Sequence, residues 1–267
     1  MKSGNPLGDA FLLLFKYRQS SHSDSERRLL ELAGGATAFL STSGQLYRFE
    51  DFRKDMRPGH VRSLSFAKVT HYLEQMGARA RSAEEKETLR AASDALVFIE
   101  SSGQHEGLED YLRHWRSSTL PPVIAVFETR EQADAWLERQ PDPPYKARVL
   151  IGDEYHAVLA RRENRDWPFV PMPVVAEFIE DQLRNGLPPV VAAFETREQA
   201  EAWLATIPEP PGHAFITING EHHLAACWKN VNHRAIYPFT LADELARERR
   251  ARMRRLGLPE TDGEQDS

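Results

Sequence analysis

The chain contains one stretch of sequence twice. Residues 121–163 align with residues 188–230 at a constant offset of 67 without a gap, and 21 of the 43 aligned positions are identical. Each copy contains the pattern PPV-x-A-x-FETREQA-x-AWL. Because a duplication of this length encodes a duplicated structural unit, the fold must contain the same unit twice.

Each copy opens with the pattern of a strand followed by a helix. Runs rich in valine and phenylalanine occupy residues 123–127 and 190–194, as is typical of buried strands. Thr129 in the first copy and Thr196 in the second each stand three residues before a glutamine. This is the spacing of a capping box, so a helix is predicted to begin at each threonine.

The second part of each copy has the pattern of a β-hairpin. In the later copy Asn219-Gly220 separates two apolar runs, and this dipeptide suits a type I′ turn because both residues need positive φ. In the earlier copy Gly152-Asp153 occupies the matching position, which predicts a type II′ turn with glycine first. Two different turn sequences at one position support the same hairpin.

A second helix is predicted after each hairpin, over residues 174–185 and 241–256, so each copy reads β-α-β-β-α. The strand that opens the second copy could also close the first, which gives the split βαβ arrangement of ferredoxin-like folds. The copies could pair their sheets about a pseudo-twofold axis or form two separate sandwiches. We favour shared or paired sheets, because so small a sheet buries little surface alone.

The first half of the chain shows helical spacing of apolar residues. Ser23 and Ser82 each precede a glutamate by three residues, and Asn5 precedes a proline, so helices are predicted to begin at these positions. Five or six helices account for the pattern. Gly34-Gly35 lies inside one of them and predicts a kink or a close approach of two helices.

The predicted fold class is therefore α+β, with an all-α domain followed by two tandem α/β repeats. The predicted boundaries are 1–118 for the helical domain, 119–187 for the first repeat, 188–257 for the second and 258–267 for an acidic disordered tail.

Composition indicates a soluble protein of the cytoplasm. Cys227 is the only cysteine, so no intramolecular disulfide can form, which is consistent with a reducing compartment. The apolar run at residues 10–15 is too short for a signal peptide, and no run approaches the roughly 20 apolar residues of a membrane span. The formal net charge is −6, and the sequence shows no basic domain of the kind expected of a general nucleic-acid-binding protein.

The repeated FETREQA segment is the first candidate site. Its charged residues could present the same surface twice to a protein partner. They are Glu128, Arg130, Glu131, Arg197 and Glu198. The alternative, which we favour for the segment as a whole, is that capping and packing keep the two copies alike. Arg130 and Arg197 are the residues for which the sequence indicates no structural role.

An arginine-rich helix near the end of the chain is the second candidate. It carries Arg247, Arg249, Arg250, Arg252, Arg254 and Arg255. Such a helix could bind a polyanion. It could equally be a solvated helix end, where cations complement the helix dipole, and the acidic residues that follow would compete with phosphate.

No catalytic or metal site is predicted. The densest histidine group is His213, His222, His223 and His233, near Glu221 and Cys227. Adjacent residues of a strand point to opposite faces, so His222 and His223 cannot readily bind one ion together. His71, His105 and His114 lie beside helical stripes without a catalytic spacing. We predict no cofactor and no metal.

These observations favour a non-catalytic binding or regulatory protein that engages a protein partner, for example as the cognate inhibitor of a toxin. The alternative is an enzyme or binder that acts on nucleic acid or a nucleotide, using the cleft between the repeats, His223 and the arginine helix.

Overall fold

The computed structural model describes residues 5–56, 65–116, 120–164, 168–208 and 212–256. These ranges contain ten α-helices and two four-stranded sheets, so the fold is mixed α+β. By its internal contacts the chain divides into unit 1, Met1–Gly152 with His156–Val170, and unit 2, Asp153–Tyr155 with Pro171–Ser267. The four-part division of the sequence stays a prediction, and its tail lies outside the described residues. No helix within these ranges is both long and apolar enough to cross a bilayer.

Six helices form the N-terminal region, which confirms the predicted helical first half. They are α1 (Pro6–Ser20), α2 (Asp24–Thr42), α3 (Leu46–Asp55), α4 (Ala67–Ala78), α5 (Ala83–Ser101) and α6 (His105–Arg116). Ser23 and Ser82 cap α2 and α5, since each side-chain oxygen accepts the backbone N–H three residues later. Asn5 stands at the N-cap of α1, but its side chain makes no capping bond.

The glycine pair of α2 allows one of its neighbours to approach closely. A Cβ atom added at Gly35 would lie 2.2 Å from Cδ2 of Leu112, a residue of α6. At Gly34 the nearest atom would be Cβ of Leu14 at 3.9 Å, an ordinary contact. Gly35 therefore fits the second predicted alternative, a close helix approach.

Each copy of the repeat contains four strands. The first copy holds β1 (Ala125–Phe127), α7 (Arg130–Glu138), β2 (Arg148–Ile151), β3 (Glu154–Val158) and β4 (Phe169–Pro171), and α8 (Val174–Arg184) follows. The second holds β5 (Ala192–Phe194), α9 (Arg197–Thr206), β6 (His213–Ile218), β7 (Glu221–Trp228) and β8 (His233–Pro238), followed by α10 (Thr240–Arg255). The strand order in each sheet is the chain order.

The two sheets share the same parallel register. β1 runs parallel to β2 with Ala125 opposite Val149, and β5 runs parallel to β6 with Ala192 opposite Ile216, the equivalent pair in the second copy. The remaining ladders of the second sheet are antiparallel.

The sheets differ from the sequence prediction in two ways. The parallel strands are direct neighbours, so a split βαβ arrangement, with another strand between them, is not confirmed. The described strands also form two separate sheets rather than a shared one. The physical reason is a fourth strand, β4 or β8, which forms the far edge of each sheet, so that no strand of the other copy is needed. Both strands end at a proline, Pro171 and Pro238, which masks the strand pattern.

The hairpin turn of the first copy also differs from the prediction. Gly152 has φ of 56° and Asp153 has φ of 65°, so both central residues are left-handed, as they are at Asn219 and Gly220. This is type I′ geometry rather than the predicted type II′. Aspartate tolerates the left-handed region because its short polar side chain can bond locally. The second turn position therefore does not require glycine.

The helix after the first strand packs on its sheet in the same way in both copies. Trp136 and Phe127 have ring centroids 5.2 Å apart with planes tilted by 49°, and Trp203 and Phe194 lie at 5.4 Å and 47°. The aromatic residues of the repeated segment therefore form equivalent core contacts.

Within unit 1, two contacts hold the first copy against the helices. Gly44, which ends α2 with φ of 72°, lies so close to Pro144 that an added Cβ would be 2.2 Å from the proline Cβ. The guanidinium of Arg162 lies between two carboxylates, with Nη2 2.6 Å from Asp51 Oδ2 and Nε 2.6 Å from Asp142 Oδ1. These contacts fix where the segment that leads into β2 lies on the helical region.

We expect the substitution Gly44→Ala to destabilise unit 1 more than Gly103→Ala. Both glycines have positive φ, so alanine costs each about 1 kcal/mol of backbone strain. Gly103 has open space around it, whereas Gly44 meets the Pro144 backbone, which adds roughly 1 to 3 kcal/mol of overpacking. Urea unfolding of both variants measures the difference. Equal losses would show that the close approach at Pro144 is not tight.

We expect the contribution of Asp51 to stability to vanish in acid. Hydrogen bonds from Arg162 and then Lys54 hold the pKa of the Asp51 carboxyl well below its usual range. Because the pKa of Asp51 is lower in the folded than in the unfolded state, its carboxylate stabilises the fold at pH values above the unfolded pKa of about 4. This stabilisation is lost as the pH falls through the folded pKa. The difference in unfolding free energy between wild type and Asp51→Asn should therefore shrink below about pH 4. A difference that does not change between neutral and strongly acid pH would contradict the assignment.

Candidate functional site

The glutamates of the repeated segment stabilise their own helices. The pKa of Glu131 is lowered by a hydrogen bond from its own backbone N–H and by one from the Thr129 hydroxyl. Glu198 has the same two partners, its own N–H and Thr196, with the same effect on its pKa. Both carboxylates thus satisfy donors at the start of a helix, where negative charge is favourable. Glu128 is exposed on the turn before α7.

The two arginines of the segment have structural contacts that the sequence does not indicate. Arg130 donates from Nε to Asp134 at 3.1 Å, and its guanidinium lies 5.0 Å from the centre of the Phe169 ring in β4. Arg197 donates from Nε to Glu201 at 2.7 Å and from Nη2 to the Ile236 carbonyl oxygen of β8 at 3.2 Å. Each arginine therefore ties the first turn of a helix to the last strand of its sheet.

The predicted polyanion surface carries both signs of charge. Arg249 of α10 donates to Glu177 at 2.9 Å and to Glu180 at 2.7 Å, both on α8. Arg247 donates to the Asp243 carbonyl oxygen at 3.3 Å. Arg250, Arg252, Arg254 and Arg255 are exposed further along the same helix. A phosphate at Arg249 would have to displace two carboxylates.

Two histidines of unit 2 pack on different aromatic rings. His213 packs its ring against Phe178 and Phe215, whereas His222 packs against Phe239. In the described part of the chain, no group of three or more His, Cys, Asp or Glu side chains is arranged to hold a metal. Cys227 is buried, and burial raises the pKa of its thiol, which disfavours the thiolate that a nucleophile needs.

A polar cluster in unit 2 joins the turn residue Asp153 to β7 and β8. His233 Nε2 lies 2.7 Å from Asp153 Oδ1, and the Tyr237 hydroxyl donates to the Asp153 carbonyl oxygen at 2.7 Å. Trp228 donates from Nε1 to the Tyr155 hydroxyl at 2.8 Å. Burial, with the nearby Asp153 charge, raises the pKa of Tyr237 far above its usual value. These bonds pair the polar groups with one another, as expected of a structural network.

Unit 1 contains a cleft of about 400 Å³ that the sequence did not predict. Its wall combines α1, α2 and α6 with Pro121, Pro122 and the residues that enter β2. Lys146 and Arg148 bring two cationic groups to it, and the described lining residues include no Asp or Glu. Two polar atoms of the lining, Asn5 Oδ1 and Arg148 Nε, are buried without a hydrogen-bond partner. The cleft is therefore polar, cationic and incompletely satisfied.

One signal in the sequence could have drawn attention to this cleft. Where the first copy has Lys146 and Arg148, the second copy has His213 and Phe215. Two cations thus occur only in the first copy, next to a segment that both copies share. The partners from α1 and α6 lie more than thirty residues away in the chain, so the sequence alone does not bring them together.

The shared segment before the first strand has different surroundings in the two copies. Leu120 and Val123 are 1% and 0% exposed, whereas their counterparts Leu187 and Val190 are 64% and 40% exposed. Val191, which matches Ile124, is 63% exposed. The same apolar segment is thus covered in the first copy and open in the second.

Comparison with known proteins gives no assignment: no protein-family model, no curated protein and no solved structure matches this chain. The sites described above therefore rest on geometry alone.

We expect Arg197→Met to lower the unfolding free energy by roughly 0.5 to 1.5 kcal/mol, because the Ile236 carbonyl loses a charged donor and the exposed ion pair adds little. Arg250→Met removes an exposed arginine of α10 as a matched control and should change stability by less than about 0.5 kcal/mol. Urea unfolding measures both. If Arg197→Met does not lower the unfolding free energy, the contact with Ile236 is not structural and Arg197 is better explained as part of a partner surface.

Proposed function

We propose that the protein is a non-catalytic binding protein whose second repeat engages a protein partner. The observation that carries the proposal is the exposure of Leu187, Val190 and Val191. In the first copy the counterparts of Leu187 and Val190 are buried and that of Val191 is half-buried. The partner would supply the cover that the second copy lacks.

The backbone of the two segments is equivalent, so conformation does not explain the difference in exposure. Ile124 donates its backbone N–H to the Arg148 carbonyl oxygen at 2.9 Å, and Val191 donates to the Phe215 carbonyl oxygen at 2.8 Å. These bonds match at the repeat offset, as the strand registers do. What differs is what packs over the segment.

In the first copy, helices provide the cover. The Leu120 carbonyl oxygen is hydrogen-bonded to Nε2 of His114 in α6. Pro121 and Pro122 line the cleft together with residues of α1, α2 and α6. A segment of this sequence thus packs against helices when they are available. The proposed occupant of the second segment is accordingly an apolar helical face of another protein.

The chemistry of the open segment suits such an interface. Three large aliphatic side chains lie exposed within five residues, and burying one of them stabilises a complex by roughly 1.5 to 3 kcal/mol. Exposed apolar groups in this density are more typical of interaction surfaces than of ordinary solvent-facing segments. Arg197 and Glu198 lie at the start of α9, after β5, and would flank the contact.

The role we favour is regulation or inhibition of that partner. We propose that the protein acts in the cytoplasm, because its single cysteine is buried and unpaired. The alternative, a nucleic-acid or nucleotide function of α10, is weakened by the pairing of Arg249 with Glu177 and Glu180.

The proposal predicts that a double variant, Leu187→Ser with Val191→Ser, loses the partner while the fold is retained. A photo-crosslinking residue at position 191 of the full chain, followed by mass spectrometry, should identify an apolar helix of one protein, and the double variant should not recover that protein. Leu12→Ser is the matched control, because Leu12 is 65% exposed on α1, and it should retain the partner.

Three results would count against the proposal. Crosslinks to many unrelated proteins would indicate a merely sticky segment. Crosslinks to a second copy of this chain, with a change in its mass in solution, would make the segment a self-association surface. Equal recovery by the double variant and the control would place the partner elsewhere.

A further inference from the structure

The cleft of unit 1 has the chemistry of a small-molecule site, separate from the proposed partner surface in unit 2. We infer that it binds a small organic phosphate with a planar ring, of the class of a nucleoside monophosphate. Its volume of about 400 Å³ lies within the range of ligand pockets, roughly 300 to 1,000 Å³.

Charge points to an anion. Lys146 and Arg148 provide two positive charges, while the described lining residues include no carboxylate. The chain as a whole has a net charge of −6, so this concentration of cations is local. A guanidinium presents planar donors that match phosphate oxygens, and two cations complement a phosphomonoester dianion.

Buried atoms of the lining residues limit how the ligand can be held. Among the described residues, Asn5 Oδ1 and Arg148 Nε are buried and have no hydrogen-bond partner. Because Nε is buried, the proposed phosphate contact of Arg148 uses the terminal nitrogens of its guanidinium.

Aromatic side chains form the apolar part of the wall. The rings of Phe11 and Trp115 lie 5.8 Å apart at a tilt of 38°, and Tyr111 meets Trp115 edge-on at 5.8 Å. Trp115 lines the cleft and is 41% exposed. Exposed aromatic faces bind flat rings by stacking.

The cations are a property of the first copy rather than of the repeat. The second copy has His213 and Phe215 in their places. Lys146 also adopts a φ of 69°, which is costly for lysine. Strained backbone that persists is concentrated at functional sites, and here it lies two residues before Arg148.

Calorimetric titration of the full chain with AMP, GMP, CMP and UMP tests the inference. At least one should bind, more tightly than inorganic phosphate or its own nucleoside alone. Arg148→Gln and Lys146→Gln should each raise the Kd at least about tenfold, since each removes a charge-assisted bond. Arg139→Gln removes an exposed arginine of the same unit outside the cleft and should leave the Kd unchanged.

The outcomes separate clearly. No binding of any of the four at millimolar concentration overturns the inference, as does an equal loss in the Arg139→Gln control. Inorganic phosphate binding as tightly as the nucleotides would remove the planar ring from the proposed ligand. If Arg148→Gln fails to fold, Lys146→Gln decides, because Lys146 is exposed. The variant Leu187→Ser with Val191→Ser should bind the nucleotide normally, so this site and the partner surface can fail independently.

Discussion

The contact between the end of α2 and the segment that enters β2 determines what unit 1 presents. Gly44 has no side chain, so Pro144 can lie against it, and Arg162 holds the same region between Asp51 and Asp142. This places Arg148 beside the helices and forms the cationic cleft. The first repeat is thus a wall of a pocket as well as a folded module.

The second repeat has the same internal design in other surroundings. Its parallel register, its backbone bond before β5 and its Trp203–Phe194 contact all reproduce the first copy. Each repeat therefore holds itself together through contacts of its own. The side chains of the apolar segment before the first strand take no part in these contacts, so their burial depends on what lies next to them.

Sequence reasoning succeeded where an interaction spans only a few residues. The caps at Ser23 and Ser82 and the Asn219-Gly220 turn follow from spacing alone, because both partners lie within one turn of chain. It failed for the Arg197 contact, whose acceptor lies 39 residues away. It could not separate Val123 from Val190, since identical residues in identical local sequence are buried in one copy and open in the other. Tertiary neighbours decide that difference.

The same distinction applies to individual positions of the repeat. The second glutamate and the arginine of each FETREQA segment bond within their own copy, so these contacts do not depend on what surrounds that copy. Lys146 faces the cleft, whereas His213 at the matching position packs on Phe178 and Phe215. Lys146 and His213 meet different neighbours and differ in sequence. Val123 and Val190 also meet different neighbours, yet they are identical. The surroundings of each copy, rather than its own sequence, therefore decide which of the shared side chains are buried.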